Sequence, residues 1–407
     1  MRHTLIIGAG ASGMAAAIAA AKRGERVTVI DRNRKPMKKL AVTGNGRGNL
    51  LNCGQPDLHG DRDFGMAVLS HMPYEKAAAF LQEAGIPLVH EDEGRMYPAS
   101  FLAASAVEAL RWQAQRLGVE LAPNVRADRI ARMENGFVLH CLRTVYEKDT
   151  VLKSGRVKPG ALIGEEAAEY RADRIIVCAG GAAAPMHGTD GTAYALLTAF
   201  GHKLITPRPA LCALITEKKP LEGLGGQRVR ATLTLNGHES SGEALFAEDG
   251  VSGIAAMQLS RWANAGDVLH MDLRTAVTGC ADTDVYEWLK ARASCMGENL
   301  LTGAVSPQLA QALWRRSGHR PSVSPAALKA LASVISDFSL RVEGTRGFES
   351  AQVTAGGLDC ADFDPATMQS RLCPGLYAAG EVLNVDGGCG GHNLLFAFAS
   401  GLLAGSM

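Results

Sequence analysis

Residues 4–13, TLIIGAGASG, join a short apolar run to three glycines with the spacing G-x-G-x-x-G. The alanine-rich segment 12–22 follows, and a second apolar run, RVTVID, occupies residues 26–31. An apolar run, a helical segment and another apolar run in this order are typical of a strand, a helix and a parallel strand. We expect the crossover between the two strands to be right-handed.

The three glycines and the acid that ends the second run have separate mechanical roles. Gly8, Gly10 and Gly13 permit a tight turn and a close approach of a pyrophosphate to the helix N-terminus. Asp31 is placed to accept hydrogen bonds from a ribose diol, which argues against a 2′-phosphate there. The unit therefore predicts a dinucleotide site, whose cofactor-binding residues are Gly8, Gly10, Ala11, Ser12, Gly13, Asp31 and Arg32.

Glycine is unevenly distributed along the chain of 407 residues. Eight of the 46 glycines lie in residues 1–54, and ten lie in residues 356–407. Glycine is required where the backbone takes a positive φ or comes close to a ligand. We therefore expect one ligand site that is built from both ends of the chain.

Two further glycine-rich segments extend this predicted site. KLAVTGNGRGN at 39–49 suits contact with a flat ring or further phosphate, and DGGCGGHN at 386–393 leads into an apolar helix. A glycine turn before a helix N-terminus places positive potential where an anionic reduced flavin needs it. The further predicted cofactor-binding residues are Lys39, Leu40, Thr43, Gly44, Asn45, Gly46, Arg47, Asn49, Ala179, Gly180, Gly380, Glu381, Gly391, His392, Asn393 and Leu394.

Composition and charge exclude several classes of protein. The 42 Lys and Arg against 41 Asp and Glu give a net charge of +1, which shows no overall footprint for nucleic acid. The nine cysteines are scattered without a C-x-x-C pair, as in reduced cytoplasmic proteins, and no group has zinc spacing. The first apolar run is too short for a signal peptide, and residues 387–407 hold too few apolar positions for a membrane anchor. We expect a cytoplasmic protein with no metal site and no membrane partner.

The middle of the chain has a different pattern. Short strands separated by glycine turns occupy residues 195–275, which predicts a small β-rich domain. Helices are expected at 285–292, 307–316 and 325–335, each preceded by a Thr, Ser or Asp suited to the N-cap.

The longer motifs resemble those of one family, the BaiN/RdsA-type NAD(P)/FAD-dependent oxidoreductases, or aminoacetone-oxidase-like flavoproteins. The resemblance covers nearly the whole chain. Beside the first glycine motif, it rests on K-L-x-x-T-G-N-G-R-x-N at 39–49, G-R-x-x-P at 94–98, G-x-S-G at 250–253, V-T-x-G-G at 353–357, T-M-x-S at 367–370 and G-L-Y-x-x-G-E-V-L-x-V-D-G-x-x-G-G-x-N at 375–393. The chain departs from the family at Gly48, usually a cysteine, at Leu51, usually a threonine, and at His392, usually a tyrosine or similar ring.

The resemblance implies an α/β fold with a discontinuous Rossmann-type FAD-binding domain at residues 1–190 and 350–407. Inserted into it are a β-barrel-like substrate domain at 191–280 and 337–349 and a helical subdomain at 281–336. Members of the family are assigned reductions of C=C bonds conjugated to carbonyls, in bile-acid dienones and in a uridine of ribosomal RNA. Both reactions add hydride beta to a carbonyl and a proton alpha to it.

We therefore expect an FAD-dependent oxidoreductase with NAD(P)H as a transient electron donor. The expected substrate is a small hydrophobic enone, such as a 3-oxo-4,6-diene bile acid. Reduction of uridine to dihydrouridine in ribosomal RNA is less favoured, and its basic patch would come from Arg228, Arg230, Arg315, Arg316 and Arg320. Two further functions stay open, an amine oxidation of the aminoacetone type with O2 as acceptor and a non-catalytic flavin-binding role.

The candidate catalytic residues are His392 and Tyr97. His392 precedes an apolar helix and is a candidate proton donor near neutral pH, or else a hydrogen-bonding loop residue. Tyr97, in the G-R-x-x-P segment, either donates a proton or packs on the isoalloxazine ring. His90 stands beside two acids and is expected in a solvated loop, and Cys389 is a single thiol outside any C-x-x-C motif, which disfavours a disulfide-reductase mechanism.

Overall fold

The structure is a computed structural model that describes residues 1–151 and 157–407. The described residues divide into two compact units, Met1–Arg208 with Val353–Met407 and Pro209–Gln352. Each unit has its own buried apolar core. Within the described ranges, no helix is long and apolar enough to cross a membrane.

The elements of the N-terminal part of the chain are short strands and amphipathic or buried helices. The strands are β1 (His3–Ile7), β2 (Arg26–Asp31), β3 (Leu51–Asn52), β4 (Leu58–Gly60), β5 (Leu88–His90), β6 (Arg95–Pro98), β7 (Glu120–Pro123), β8 (Val125–Met133), β9 (Gly136–Tyr146), β10 (Thr150–Val151), β11 (Val157–Lys158), β12 (Leu162–Ala172), β13 (Arg174–Val177) and β14 (Leu204–Ala210). The helices are α1 (Ala11–Lys22), α2 (Arg62–His71), α3 (Tyr74–Glu83), α4 (Ala103–Arg116) and α5 (Ala195–Thr198).

The remaining elements form the second unit and the C-terminal part of the first. The strands are β15 (Leu214–Thr216), β16 (Arg228–Leu235), β17 (His238–Ala247), β18 (Gly250–Ser252), β19 (Val268–Asp272), β20 (Leu340–Thr345), β21 (Val353–Leu358), β22 (Leu376–Ala378) and β23 (Val385–Gly387). The helices are α6 (Ile254–Leu259), α7 (Arg274–Thr278), α8 (Val285–Met296), α9 (Pro307–Ser317), α10 (Pro325–Ser336), α11 (Gly347–Ser350) and α12 (His392–Gly405).

A five-stranded sheet in the order β22-β13-β1-β2-β7 is the centre of the first unit. Strand β1 pairs in parallel with β2 and β13, and its apolar run is buried on both faces, as in Rossmann-type sheets. Helix α12 packs directly on α1. The two helices approach so closely that a Cβ at Gly401 would lie 2.2 Å from the Ser12 carbonyl oxygen, and a Cβ at Gly405 would lie 2.3 Å from the Ala16 carbonyl oxygen. The two glycine-rich ends of the chain therefore meet in one unit.

The second unit is built on a closed antiparallel barrel in the order β15-β18-β17-β16-β19-β20. Helices α8, α9 and α10 lie at the three predicted positions, and their N-caps Asp284, Ser306 and Ser324 accept backbone N–H bonds. These helices share one apolar core with the barrel. Residues 191–208, which were expected in the β-barrel-like domain, belong to the first unit. The parallel sheet, barrel and helices confirm the predicted fold class, while the division into three domains stays a prediction.

Candidate functional site

The three glycines of the first loop take different structural roles. Gly8 has φ +100°, and a Cβ there would lie 2.4 Å from the Cys178 carbonyl oxygen. A Cβ on Gly13 would lie 1.9 Å from the Gly8 carbonyl oxygen, so that glycine allows α1 to pack against the loop. Gly10 is the N-cap of α1, and apart from its immediate neighbours in the chain, no heavy atom of the described residues lies within 4 Å of its Cβ position. The loop thus presents bare backbone and a helix N-terminus to open space, which fits an anionic pyrophosphate.

Asp31 fixes this loop to the end of β2. Its Oδ2 accepts a hydrogen bond of 2.9 Å from the backbone N–H of Ala9, and Oδ1 accepts one of 2.7 Å from the N–H of Asn33. Burial raises the pKa of Asp31, and the two backbone N–H donors oppose that rise. The neighbouring Arg32 pairs with Asp190 at 2.6 Å. Asp31 thus lies beside the Gly10 opening, where it is placed to accept a ribose hydroxyl.

The loop at 40–46 has an unusual backbone. Gly44, Asn45 and Gly46 all have left-handed φ values, of +58°, +55° and +84°. At Gly48, where the family usually has a cysteine, φ is +79° and a Cβ would lie 3.0 Å from the Ala103 Cα. The close contact with α4 explains why a glycine occupies this position.

Arg47 covers two aromatic rings at the edge of this loop. Its guanidinium carbon lies 4.6 Å from the ring centroid of Tyr97 and 4.9 Å from that of Phe101. The same guanidinium forms an ion pair of 2.8 Å with Glu91. The side chain of Arg47 therefore stacks on Tyr97 and leaves the glycines to present backbone.

An ion pair joins the second loop to the C-terminal motif. Lys39 Nζ lies 2.8 Å from Glu381 Oε2, and Glu381 Oε1 accepts a hydrogen bond of 2.9 Å from the N–H of Thr354. Gly380 has φ +77°, and a Cβ there would lie 2.6 Å from Ser12 Oγ. These contacts place two predicted residues from opposite ends of the chain together, next to α1.

Other predicted residues lie close by but act chiefly on the protein itself. Thr43 Oγ1 donates to the Leu40 carbonyl oxygen at 2.8 Å. Gly180, after Ala179, has φ +74° and approaches Thr189 so closely that a Cβ would lie 2.7 Å from its Cγ2. Gly180 follows the carboxyl end of β13 and Gly8 follows that of β1, the edge at which a doubly wound sheet binds ligands.

The start of α12 is held by Asn393. Its Oδ1 accepts from the Gly387 N–H at 2.8 Å, and its Nδ2 donates to the carbonyl oxygens of Gly387 and Gly388. Asn49 Oδ1 is buried without a hydrogen-bond partner among the described residues, and it lies 2.9 Å from the Cβ position of Gly391. An orphaned acceptor beside a helix N-terminus fits a ligand that carries an N–H donor.

His392, the first residue of α12, is 8% exposed. Its Nδ1 accepts a hydrogen bond of 3.4 Å from the backbone N–H of Asp57. Burial lowers the pKa of His392, while the Asp57 carboxylate acts in the opposite direction. The ring is therefore neutral near pH 7, and because Nδ1 accepts, its hydrogen is on Nε2.

The prediction omitted two residues beside His392. Asn52 Nδ2 donates to the carbonyl oxygens of Glu93 and Gly390, and Arg95 pairs with Glu93. Both lie in or next to segments that the family motifs mark, since Arg95 is the arginine of G-R-x-x-P and Asn52 follows the motif at 39–49 by three residues. These positions in the sequence could have identified both residues as candidates for the site.

Comparisons with known proteins show the family and the fold. The model of a family described as HI0933-like protein Rossmann domain matches residues 2–407. The 3-dehydro-bile acid delta(4,6)-reductase of Clostridium scindens is 32% identical over 429 residues, covering 100% of this chain and 98% of that protein. The ribosomal RNA dihydrouridine synthase of Escherichia coli is 28% identical over 413 residues, covering 97% and 95%. In fold, the chain is similar to the 3-ketosteroid-delta4-(5alpha)-dehydrogenase of Rhodococcus jostii RHA1, with a TM-score of 0.50, 15% identity and coverage of 100% and 96%.

Proposed function

Because this chain belongs to the HI0933-like family of Rossmann-domain proteins, we propose that it is an FAD-dependent oxidoreductase that reduces a C=C bond conjugated to a carbonyl. Membership of this family confirms the resemblance identified in the sequence. The similarity to the bile-acid reductase extends over the whole chain, and this observation carries the proposal. A 3-oxo-4,6-diene of the bile-acid type is the proposed substrate.

The described residues fit FAD. The Gly10 opening and the N-terminus of α1 would hold the pyrophosphate, and Asp31 would hold the ribose. The loop at 40–49 and the start of α12 would receive the ring system, with Asn49 Oδ1 as a buried acceptor. When bound, FAD supplies hydride to the substrate. The sequence contains one dinucleotide motif, which FAD would occupy. NAD(P)H, the proposed electron donor, is therefore proposed to dock transiently.

His392 and Tyr97 are the proposed proton donors. His392 is a neutral imidazole whose Nε2 carries the hydrogen, because Asp57 donates to Nδ1. Tyr97 is 7% exposed, and its ring lies 5.7 Å from that of Phe101 beneath Arg47. Both side chains are buried against neighbouring groups, which restricts their positions, as a donor requires to protonate a defined atom. We place the protein in the cytoplasm, since all nine of its cysteines are thiols.

An anaerobic experiment tests the reaction. The purified protein is bleached with NADH or NADPH, and a 3-oxo-4,6-diene bile acid is then added. The flavin absorbance is expected to return, and the product should have gained two hydrogens. The matched control is the saturated 3-oxo compound, which has no C=C bond to reduce. Failure of every conjugated enone to restore the absorbance of a bleached protein would overturn the proposed reaction.

Reduction of uridine in ribosomal RNA is the second candidate, supported by the similarity to the Escherichia coli synthase. The arginines of the expected basic patch are partly engaged within the second unit. Arg228 pairs with Glu243, and the guanidiniums of Arg315 and Arg316 donate to backbone carbonyl oxygens. Retention of ribosomal RNA that falls as salt rises would favour this candidate, and no retention at low salt would exclude it.

A further inference from the structure

Three side-chain nitrogen atoms lie on the Cβ side of Gly390. This glycine is buried, with φ +131°, and a Cβ built on it would lie 3.4 Å from Asn52 Nδ2, 3.7 Å from His392 Nε2 and 3.8 Å from Arg95 Nε. The three side chains come from the end of β3, the start of α12 and β6. Nitrogen donors grouped on one side of a glycine suit an oxygen atom that carries negative charge.

Two of these donors remain available for a ligand. Arg95 uses its Nη2 for Glu93, and no described residue accepts from its Nε. His392 accepts at Nδ1 from Asp57, which leaves the Nε2–H as the donor on the Gly390 side. Asn52, by contrast, donates its Nδ2 hydrogens to the carbonyl oxygens of Glu93 and Gly390, at 3.0 and 2.9 Å. Asn52 thus joins the Glu93 and Gly390 segments, and the Arg95 Nε and the His392 Nε2 lie on the Cβ side of Gly390.

This corner contains charged groups of both signs. Arg95 contributes a permanent cation, and the N-terminus of α12 adds a positive partial charge. Burial raises the pKa of the Cys389 thiol, so that thiol is neutral and does not compete as an anion. Asp57 is paired with His59, at 3.1 Å, and Glu93 is paired with Arg95 on its Nη2 side.

We propose that Arg95 and His392 bind the carbonyl oxygen of the conjugated substrate on the Cβ side of Gly390, where the glycine has no side chain. This inference rests on the proposed function and adds Arg95 to it as a catalytic residue. As hydride forms the new C–H bond at the β carbon, the C=C electron pair moves to the bond between the α carbon and the carbonyl carbon. The carbonyl π pair moves onto oxygen, where the Arg95 Nε–H and the His392 Nε2–H stabilise the negative charge. A proton from water then forms the second new C–H bond at the α carbon, the C=C bond of the enolate shifts back to C=O, and hydroxide is left in solution.

The test uses the FAD-loaded enzyme and the variants Arg95→Met and Arg95→Lys. The matched control is Arg111→Met, because Arg111 is also ion-paired in the first unit, to Glu108 at 3.0 Å. The probe is p-nitrophenolate, a planar conjugated oxyanion, whose binding is followed by equilibrium dialysis and needs no turnover. FAD content and thermal stability are measured for every variant.

We expect Arg95→Met to weaken p-nitrophenolate binding by about 10- to 100-fold, since one charge-assisted hydrogen bond is lost. It should also lower kcat/KM for the enone by about 100-fold, with FAD content unchanged. Arg95→Lys should restore part of both, and Arg111→Met should change neither. Unchanged phenolate binding in a folded Arg95→Met variant would overturn the inference.

Loss of FAD in Arg95→Met and Arg95→Lys would also overturn it, because the corner would then belong to the cofactor. Failure of the proposed function is distinguishable from failure of this inference. If the wild-type enzyme binds p-nitrophenolate through Arg95 but reduces no enone, the proposed reaction fails and the oxyanion corner stands.

Discussion

Gly10→Val separates cofactor binding from folding more cleanly than any other substitution in the first loop. Apart from its immediate neighbours in the chain, no heavy atom of the described residues lies within 4 Å of the Gly10 Cβ position, and Gly10 has an extended backbone with φ −83°. A valine therefore fits the protein but occupies the space in front of α1 that a pyrophosphate needs. Gly13→Ala is the contrasting change, because its Cβ would lie 1.9 Å from the Gly8 carbonyl oxygen.

The expected magnitudes follow from these distances. Valine is a poorer N-cap than glycine, so Gly10→Val should cost the FAD-free protein no more than about 1 kcal/mol. Displacing the pyrophosphate removes two or so charge-assisted hydrogen bonds, at about 1.5–3 kcal/mol each. This corresponds to a loss of FAD affinity of about 10²- to 10⁴-fold. Gly13→Ala should instead lower the stability of the FAD-free protein by about 2 kcal/mol or more, since backbone must move.

The assay has two parts. FAD affinity is measured by titrating the FAD-free protein and following the quenching of flavin fluorescence, and stability is measured as the Tm of the same FAD-free samples. The expected result is a Gly10→Val protein with nearly wild-type Tm and almost no FAD binding. Wild-type FAD affinity in Gly10→Val would refute our assignment of the loop, and so would a fall in Tm as large as that of Gly13→Ala.

Three other predictions concern the second half of the site. Lys39→Met should weaken FAD binding about tenfold, because it leaves the Glu381 carboxylate uncompensated; Lys38→Met is the control, and equal effects in a fluorescence titration would contradict the prediction. Burial lowers the pKa of His392 below 6.5 in the folded protein. As pH drops below 6.5, this histidine therefore takes up a proton more readily in the unfolded chain than in the folded one, and the stability of the fold decreases. The decrease in Tm between about pH 7 and pH 5 should be smaller in His392→Gln than in the wild type, and an equal decrease would argue against the buried neutral ring. Asn393→Ala should lower the free energy of unfolding by about 1–3 kcal/mol, because its hydrogen bonds to the 387–388 loop are lost. An unchanged Tm would show that these hydrogen bonds do not stabilise the fold.

Local patterns were sufficient to predict most of the elements. The buried runs of β1 and β2 and the helices α8, α9 and α10 follow from apolar periodicity and from their capping residues. The place of β22 beside β13 had no local signal, since the pairing of Val177 with Ala378 joins segments about two hundred residues apart. Strand order of that kind depends on which exposed edges remain after the nearer elements have packed.

The geometry of the first loop was predictable, because the spacing of Gly8, Gly10 and Gly13 by itself indicates a tight turn that leads into a helix N-terminus; its role in binding FAD stays a prediction. The site was not predictable where a role depends on a distant backbone atom. Arg95 acquires its proposed role only because Gly390 lies against it, and the His392 tautomer depends on the N–H of Asp57. Such contacts are set by the meeting of the two chain ends, which glycine distribution indicated only in general terms.

The visible absorption spectrum of the gently purified protein, repeated after incubation with FAD and removal of the excess, tests the central claim most directly. The account predicts a flavin band with one FAD per chain, lost in Gly10→Val. A folded wild-type protein that stays colourless after this incubation would contradict it.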